Sequence, residues 1–447
     1  MTVKSLLLGA AAGVAVIGAA QAADLPMTKG EAVEYVKVCS AFGTGFFYIP
    51  GSDTCLKIGG DVRADYRVFG GSGFSRNDDR SAFNAQARIW FDARTDTDWG
   101  LLRSYFQINA DSHPISVQGR GGVYNDNTFS IDKAFIQFGG LTAGYAHSFF
   151  GFYDADWGST IWAPYYAEGS TVNLIAYTAQ FGGGFSATLS VEDGRDHRYG
   201  NFGRNYIPAL AGSTVSFSSL QGGQQIPDVV GQLRLDQSWG AIAVSAAVHQ
   251  SRSAEELQVS NNGIPQGDPV ALPHKQKWGY AAGASLLLNI PVIEKGHFVV
   301  EGQYANGALH YLGATNDSLS LGVPGDLYLA STDTLRYKTA KGWSIVAELG
   351  GNITPVLNAN LVGSYIDTKA KDFLDPTLDP SFKAFTIAGN LTYTIVKDLT
   401  ISAEVAYTRN KFGNVLDTVG TGEEATTVIK DVKQNIWQGG IRLKRVF

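Results

Sequence analysis

The sequence predicts an all-β protein, a transmembrane antiparallel β-barrel of about 16 strands. Three observations support this prediction. Apolar and polar residues alternate with a period of two in one segment after another, which is typical of strands with two different faces. These segments have roughly the length of a tilted strand that crosses a bilayer, and an export signal precedes them.

The alternation is clearest in residues 81–94. One face is apolar, and the other is polar except for Trp90. The apolar face consists of Phe83, Ala85, Ala87, Ile89, Phe91 and Ala93. The polar face contains Asn84, Gln86, Arg88, Asp92 and Arg94. A half-buried strand of a soluble protein has the same pattern, but its apolar face packs on other elements. The sequence offers few candidate helices for that role, and the pattern recurs along the whole chain, which favours a membrane barrel.

Residues 1–22 have the features of a secretory signal peptide. Lys4 precedes an apolar run from Leu6 to Ala20, and small residues in Ala20-Gln21-Ala22 predict cleavage after Ala22. The run is short of the ~20 residues that a transmembrane helix needs. Cleavage removes one lysine and leaves 34 basic and 41 acidic side chains, so the net charge is 34 − 41 = −7. We expect a multi-pass protein of the bacterial outer membrane and no nucleic-acid partner.

The composition agrees with this fold. Mean hydropathy is −0.04, and after the signal segment no run of eighteen apolar residues could form a helical span. Barrel strands alternate lipid-facing and lumen-facing residues, so their hydropathy averages to near zero. The 53 glycines suit loops, and the 20 tyrosines, 24 phenylalanines and 8 tryptophans suit the aromatic girdles of such barrels.

Cys39 and Cys55 are the two cysteines of the chain, and both lie in the segment 23–56, which we interpret as a periplasmic lead-in. An exported chain reaches an oxidising compartment, so we expect a disulfide, with two free buried thiols as the alternative. A zinc site would need more ligands, and no histidine is near in sequence.

We assign residues 57–447 to the barrel. In the first strand Asp61, Arg63, Asp65 and Arg67 are predicted to point into the lumen. Short turns alternate with long loops at 148–170, 193–227, 251–276, 305–340, 369–382 and 410–433, as in outer-membrane barrels. About sixteen such strands enclose an aqueous channel. The sequence leaves open whether Tyr328, Leu335 and Tyr337 extend a strand or lie in a loop.

The last strand runs from Ile436 to the terminal Phe447. A terminal aromatic residue is the recognisable end of an outer-membrane barrel. We therefore expect Phe447 to act as the assembly signal for the barrel assembly machinery.

Three early motifs carry a family resemblance. Val33-Glu-Tyr-Val-Lys-Val-Cys39, Gly45-Phe-Phe-Tyr-Ile-Pro-Gly51 and Thr54-Cys-Leu-Lys-Ile-Gly-Gly60 resemble the amino-terminal signature of the alphaproteobacterial porins of the rhizobial and brucella type. The resemblance extends to Phe447. It implies a homotrimer of sixteen-stranded barrels in outer-membrane lipid and lipopolysaccharide, each a water-filled pore for small hydrophilic solutes and ions. It also implies that the third extracellular loop folds inward as a constriction.

The third long connection, 148–170, is rich in aromatic residues. So aromatic a loop would not lie bare in water, and the barrel wall is the nearest surface on which it could pack. The alternative is a lid packed on neighbouring loops.

Charged residues predict the chemistry of the constriction. Arg63, Arg88 and Lys133 fall near mid-height on lumen-facing positions, and Asp154 and Asp156 of the loop would oppose them. Such an arrangement sets up a transverse field at the narrow part of the pore. The alternative is that the charges merely solvate a wide lumen. From the net acidity we expect weak cation selectivity.

Other functions find less support. The seven histidines are scattered along the chain, and we find no HExxH, GxSxG, P-loop or GxGxxG motif, so we expect no enzyme and no catalytic, cofactor or metal site. A substrate-specific channel, whose flux saturates with one solute class, is the main alternative. An adhesin or purely structural barrel would show no conductance.

Overall fold

The computed structural model describes residues 37–72, 74, 76, 79–112, 127–156, 158–195, 197–198, 215–217, 222–257, 259–261, 264–265, 267–313, 325–331, 336–371, 381–419 and 426–447. The predicted signal peptide and the beginning of the predicted lead-in lie outside these residues.

Sixteen strands form a closed antiparallel barrel. They are β1 (Cys55–Gly71), β2 (Ser81–Thr97), β3 (Gly100–Ser112), β4 (Thr128–Phe138), β5 (Leu141–His147), β6 (Thr171–Gly182), β7 (Phe185–Glu192), β8 (Asp228–Gln237), β9 (Gly240–Arg252), β10 (Gln276–Ile290), β11 (Glu294–Asn306), β12 (Lys341–Thr354), β13 (Leu357–Lys369), β14 (Ser381–Val396), β15 (Leu399–Val419) and β16 (Thr426–Val446). Each strand pairs with the next, and β16 pairs with β1 from Asp61↔Val446 to Gly71↔Ile436. The predicted fold class is confirmed.

Short elements decorate the barrel. They are the 3₁₀ helices Ser40–Phe42 and Leu309–Leu312, the α-helix Tyr153–Asp156, and the short strands Phe47–Tyr48, Val215–Phe217, Glu256–Leu257, Val259–Asn261, Ile264–Pro265, Val270–Ala271, Leu327–Ser331 and Arg336–Thr339. Within the described ranges, the structure has no helix both long and apolar enough to span a membrane.

The period of two places alternate side chains inside and outside the barrel. In β9, Ala241 and Ala243 are 1% exposed on the inner face, whereas Ile242 and Val244 are 42% and 45% exposed on the outer face. The result is a barrel with an apolar exterior.

Trp90, the exception in the alternation of residues 81–94, lies on the lumen face. Its direct partner on β1 is Gly59, and a Cβ atom at Gly59 would overlap the indole ring. The missing side chain on one strand therefore makes room for the large ring on the next.

The described lead-in residues are tied to the short-turn end of the barrel. Cys39 and Cys55 form a disulfide, which confirms the predicted bridge. Phe46 packs in one cluster with the two cysteines, and the centre of its ring lies 4.9 Å from the Arg94 guanidinium and 5.8 Å from the Lys57 ammonium.

One loop assignment changes, and one question that the sequence left open is answered. Strands β15 and β16 continue to Val419 and from Thr426, so the long loop predicted at 410–433 is wrong. Apolar and polar residues alternate only in the part of a strand whose outer face must be apolar. Strand pairing can continue beyond that part without such alternation. In the segment 305–340, Tyr328 and Tyr337 lie in a separate hairpin, Leu327–Ser331 with Arg336–Thr339; Leu335 lies outside the described residues.

Small inner residues leave space on one side of the barrel. Ala241, Ala243, Ala281, Gly283, Ala384 and Ala388 line strands β9, β10 and β14. Residues 148–170, which connect β5 to β6, fold into this space. We call this connection the third loop. Its Phe150, Phe152 and Tyr153 are at most 1% exposed. The predicted inward fold of the third loop is confirmed.

Candidate pore constriction

Three glutamates on the inner wall hold the third loop through its backbone. We call Glu301 on β11, Glu348 on β12 and Glu404 on β15 the wall glutamates. The carboxylate of Glu301 accepts hydrogen bonds from the backbone N–H of Phe152 and of Tyr153, at 3.2 and 2.6 Å. Glu348 accepts from the Tyr153 hydroxyl and, at 3.1 Å, from the N–H of Ser159.

Glu404 holds the tip of the loop. Its two oxygens accept the backbone N–H groups of Ile161, Trp162 and Ala163, each at 2.7 Å. Glu404 is 2% exposed, so its charge is stabilised by these three donors rather than by water. The loop tip is therefore fixed by a buried, charged acceptor.

The wall glutamates are not among the residues predicted from the sequence. The sequence does contain a pattern that could have identified them. Each is an acidic residue on the inner face of a strand whose other inner side chains are small or neutral. What the sequence does not show is that a loop far away in the chain supplies the donors.

Trp162 carries the loop across to the other side of the barrel. Its indole N–H donates to the Asp65 carboxylate on β1 at 3.2 Å, and its backbone carbonyl accepts from the Gln438 amide on β16 at 3.4 Å. The ring lies 5.1 Å from the Arg442 guanidinium and 5.5 Å from that of Arg67. These contacts place the loop tip against a basic surface.

That surface, which we call the arginine wall, consists of Arg63, Arg88, Arg442 and Lys444 together with Asp61 and Asp65 on β1, β2 and β16. The register makes Asp61 the partner of Arg88, Arg63 the partner of Lys444 and Asp65 the partner of Arg442.

Two carboxylates hold the arginines of this wall in place. Asp61 accepts from Arg63 Nε at 3.1 Å and from Arg88 Nε at 2.9 Å. Asp65 accepts from Arg442 Nε at 2.8 Å.

The structure brings some predicted constriction residues together and leaves others apart. Arg63 and Arg88 share the carboxylate of Asp61. Lys133 lies farther round the barrel on β4, where its register partner is Gln107 of β3. Asp154 accepts a hydrogen bond from Tyr165, another residue of the third loop. Burial and the neighbouring Asp154 carboxylate raise the pKa of Tyr165 well above its ordinary value, so the hydroxyl keeps its proton and donates it.

Asp156 ends the short helix of the third loop, and its side chain lies outside the described part of the structure. The opposition of Asp154 and Asp156 to the basic residues stays a prediction.

Known proteins resemble this chain over its whole length. Residues 24–440 match the model of the family described as "Porin subfamily". Porin Omp2b of Brucella canis and Porin Omp2b of Brucella suis are each 30% identical over 455 residues, covering 100% of both chains. Among solved structures, the outer membrane channel DcaP of Acinetobacter baumannii aligns with a TM-score of 0.57 at 13% identity, over 90% of this chain and 99% of that chain. The last likeness concerns the fold alone.

Proposed function

The chain belongs to the porin family, and we propose that its third loop and its arginine wall together form the selective constriction of the pore. It is an outer-membrane porin, a water-filled channel for passive diffusion of small hydrophilic solutes and ions. The observation that carries the proposal is the position of Trp162, which joins the loop tip to Asp65 and lies beside Arg442.

Local charge determines the ion preference that we propose. The arginine wall has four cations and two carboxylates, an excess of two positive charges that faces the lumen. The wall glutamates lie beneath the loop and are compensated by its N–H groups. Charges at a constriction control ion permeation more than distant charges do. Dissolved salt screens the field of an exposed charge beyond about 10 Å. We therefore propose that the charges of the arginine wall and of Asp154 and Asp156, rather than the net charge of the chain, set the ion preference.

Reversal potentials in a KCl gradient across a planar bilayer test this proposal. Arg88→Ala removes one positive charge and a bulky side chain, so it should shift the potential toward cations and raise the conductance. Replacing Asp154 and Asp156 together by Asn should shift the potential toward anions.

Lys397→Ala is a matched control, because it removes the same charge from an exposed turn outside the lumen. Lys397→Ala should leave the reversal potential and the conductance unchanged. If neither Arg88→Ala nor the double Asn variant moves the reversal potential or the conductance, the constriction lies elsewhere.

The assembly and processing of the protein are also part of the proposal. We take residues 1–22 as a cleaved signal peptide, 23–56 as a periplasmic lead-in and 57–447 as the barrel, assembled by the barrel assembly machinery into a homotrimer in lipid and lipopolysaccharide, with no enzymatic activity. Amino-terminal sequencing of outer-membrane material should begin at Ala23, and light scattering in detergent should give the trimer mass. An intact Met1 or a monomer mass would contradict these assignments.

A further inference from the structure

A buried cluster of histidines and carboxylates lies at the long-loop end of the barrel, where three connections meet. Glu168 belongs to the third loop, His197 to the connection 193–227 and His310 to the connection 307–340. Glu168 is 1% exposed, and the side chains of His197 and His310 are 0% and 11% exposed. The arginine wall and the wall glutamates do not include these residues.

The three side chains lie close enough together to converge on one metal ion. His197 Nε2 lies 3.4 Å from Glu168 Oε1, and His310 Nδ1 lies 3.5 Å from Glu168 Oε2. One ligand atom from each residue lies within 4.8 Å of the others. Ligand atoms around a tetrahedral zinc ion, at bond lengths of about 2.0–2.2 Å, lie about 3.3–3.6 Å apart.

Two buried atoms of the cluster lack a hydrogen-bond partner. Glu168 Oε2 and His197 Nε2 are both enclosed and make no hydrogen bond. A buried carboxylate oxygen and a buried ring nitrogen are costly to leave unsatisfied, and a cation between them would satisfy both.

The other nitrogen of His197 fixes the ring in the tautomer that a metal needs. The Tyr311 hydroxyl donates to Asp228 Oδ2 at 2.7 Å, so its oxygen can accept the N–H of His197 Nδ1, which lies 3.0 Å away. The lone pair of Nε2 then points toward Glu168. Metal-ligating histidines commonly donate their second N–H to such a partner, which orients the ring.

Charge also favours a cation here. The carboxylates of Glu168, Asp228 and Asp326 are all at most 1% exposed, and each lies within 4 Å of a histidine nitrogen. With the histidines neutral, these carboxylates concentrate negative charge around Glu168. A divalent ion bound there adds positive charge to the cluster.

We propose that Glu168, His197 and His310 form a binding site for a divalent transition metal of the Zn²⁺ type, with water or another small donor as a further ligand. Two imidazole nitrogens and one carboxylate are a donor set that suits Zn²⁺ better than Ca²⁺ or Mg²⁺. The ion would join the return leg of the third loop to the two other connections.

Zinc titration of the purified, untagged and chelator-treated protein tests the site. We expect one Zn²⁺ per chain by isothermal titration calorimetry, and the tetrahedral absorption bands of Co²⁺ when Co²⁺ is used instead. His310→Gln is the first variant, because this side chain is partly exposed and its loss should leave the barrel folded. It should abolish the Co²⁺ bands, while Tyr311→Phe should weaken Zn²⁺ binding by about tenfold or more.

His297→Gln is the matched control, since His297 pairs with Glu348 near the other end of the barrel. It should bind Zn²⁺ as the unmodified protein does. The proposal is overturned if the unmodified protein does not bind Zn²⁺, which would mean that a proton on His197 Nε2 bridges the cluster instead. Equal affinity in His310→Gln and the unmodified protein would also overturn it. Bilayer conductance of the zinc-free protein reports separately on the proposed constriction.

Discussion

Gly60 and Phe447 close the barrel together. The N–H of Gly60 donates to the carbonyl of Phe447 at 3.0 Å, and the N–H of Phe447 donates to the carbonyl of Gly60 at 2.9 Å. The ring of Phe447 lies over Gly60, where a Cβ atom would overlap it. The last residue of the chain is thus paired in backbone and in side chain with the first strand.

Deleting Phe447 should reduce the yield of folded barrel far more than the burial of one side chain would suggest. The deletion removes two ladder hydrogen bonds at the seam as well as the proposed assembly signal. Heat-modifiable mobility in gel electrophoresis measures the folded fraction. Wild-type levels of folded protein from the truncated chain would refute the prediction.

A pair of variants separates packing from recognition. Gly60→Val should hinder closure because its side chain would overlap the Phe447 ring and the backbone carbonyl of Arg88. If overlap is the cause, adding Phe447→Ala should restore part of the folded yield. If the aromatic residue is needed for recognition alone, the double variant should fold no better than Gly60→Val.

Most of the barrel could be predicted from local sequence, because the two faces of a strand follow from the residues of that strand alone. Asp61, Arg63 and Arg67 were placed on the lumen face in this way, and they lie there. The aromatic content of the third loop likewise indicated that it packs inside.

The contacts that position the third loop could not be predicted. Glu404 and Ile161 are separated by 243 residues, and their contact depends on where β15 stands once the barrel has closed. The same holds for His197 and His310, whose ring centroids lie 5.1 Å apart although the chain scatters its histidines. Such contacts form only once the barrel has closed, so no local pattern in the sequence indicates them.

Replacing Glu404 by Gln should loosen the tip of the third loop. An amide offers one acceptor oxygen where the carboxylate offers two, and its NH₂ group would face an N–H donor of the loop. Leaving buried donors unpaired should cost about 1–3 kcal/mol each. We expect a lower free energy of unfolding and larger current fluctuations in single-channel recordings.

Ser402→Ala is the control for Glu404→Gln. Ser402 is also on the inner face of β15, but its hydroxyl contacts Thr392, 2.9 Å away, and not the loop. Ser402→Ala should leave the current noise unchanged. Equal noise in both variants would show that Glu404 does not hold the loop.

Replacing Cys39 and Cys55 together by Ser should destabilise the attachment of the lead-in by about 3 kcal/mol, by the loop-length rule for a cross-link of this size. The barrel strands should still form, because the bridge joins the lead-in only to the first residue of β1. Limited proteolysis should then cut the lead-in faster while the barrel stays resistant. Labelling of both thiols in unreduced, folded wild-type protein would contradict the bridge itself.

Trp162 should limit the conductance of the pore. Its indole N–H bonds to Asp65 on β1, and its ring lies against Arg67 on β1 and Arg442 on β16, so it links the loop tip to these two strands at three points. Trp162→Ala removes the ring and all three contacts. Trp162→Phe keeps an aromatic face for the arginines, worth about 0.5–1 kcal/mol at each, but loses the hydrogen bond to Asp65.

Single-channel conductance should therefore rise strongly in Trp162→Ala and only slightly in Trp162→Phe. Trp99→Ala is the control, because Trp99 is 83% exposed in a short turn and should not affect the current. The backbone of the loop tip stays bound to Glu404 in every variant, so a change in conductance reports on the side chain rather than on release of the loop. An unchanged conductance in Trp162→Ala would place the narrowest part of the pore away from Trp162 and the arginine wall.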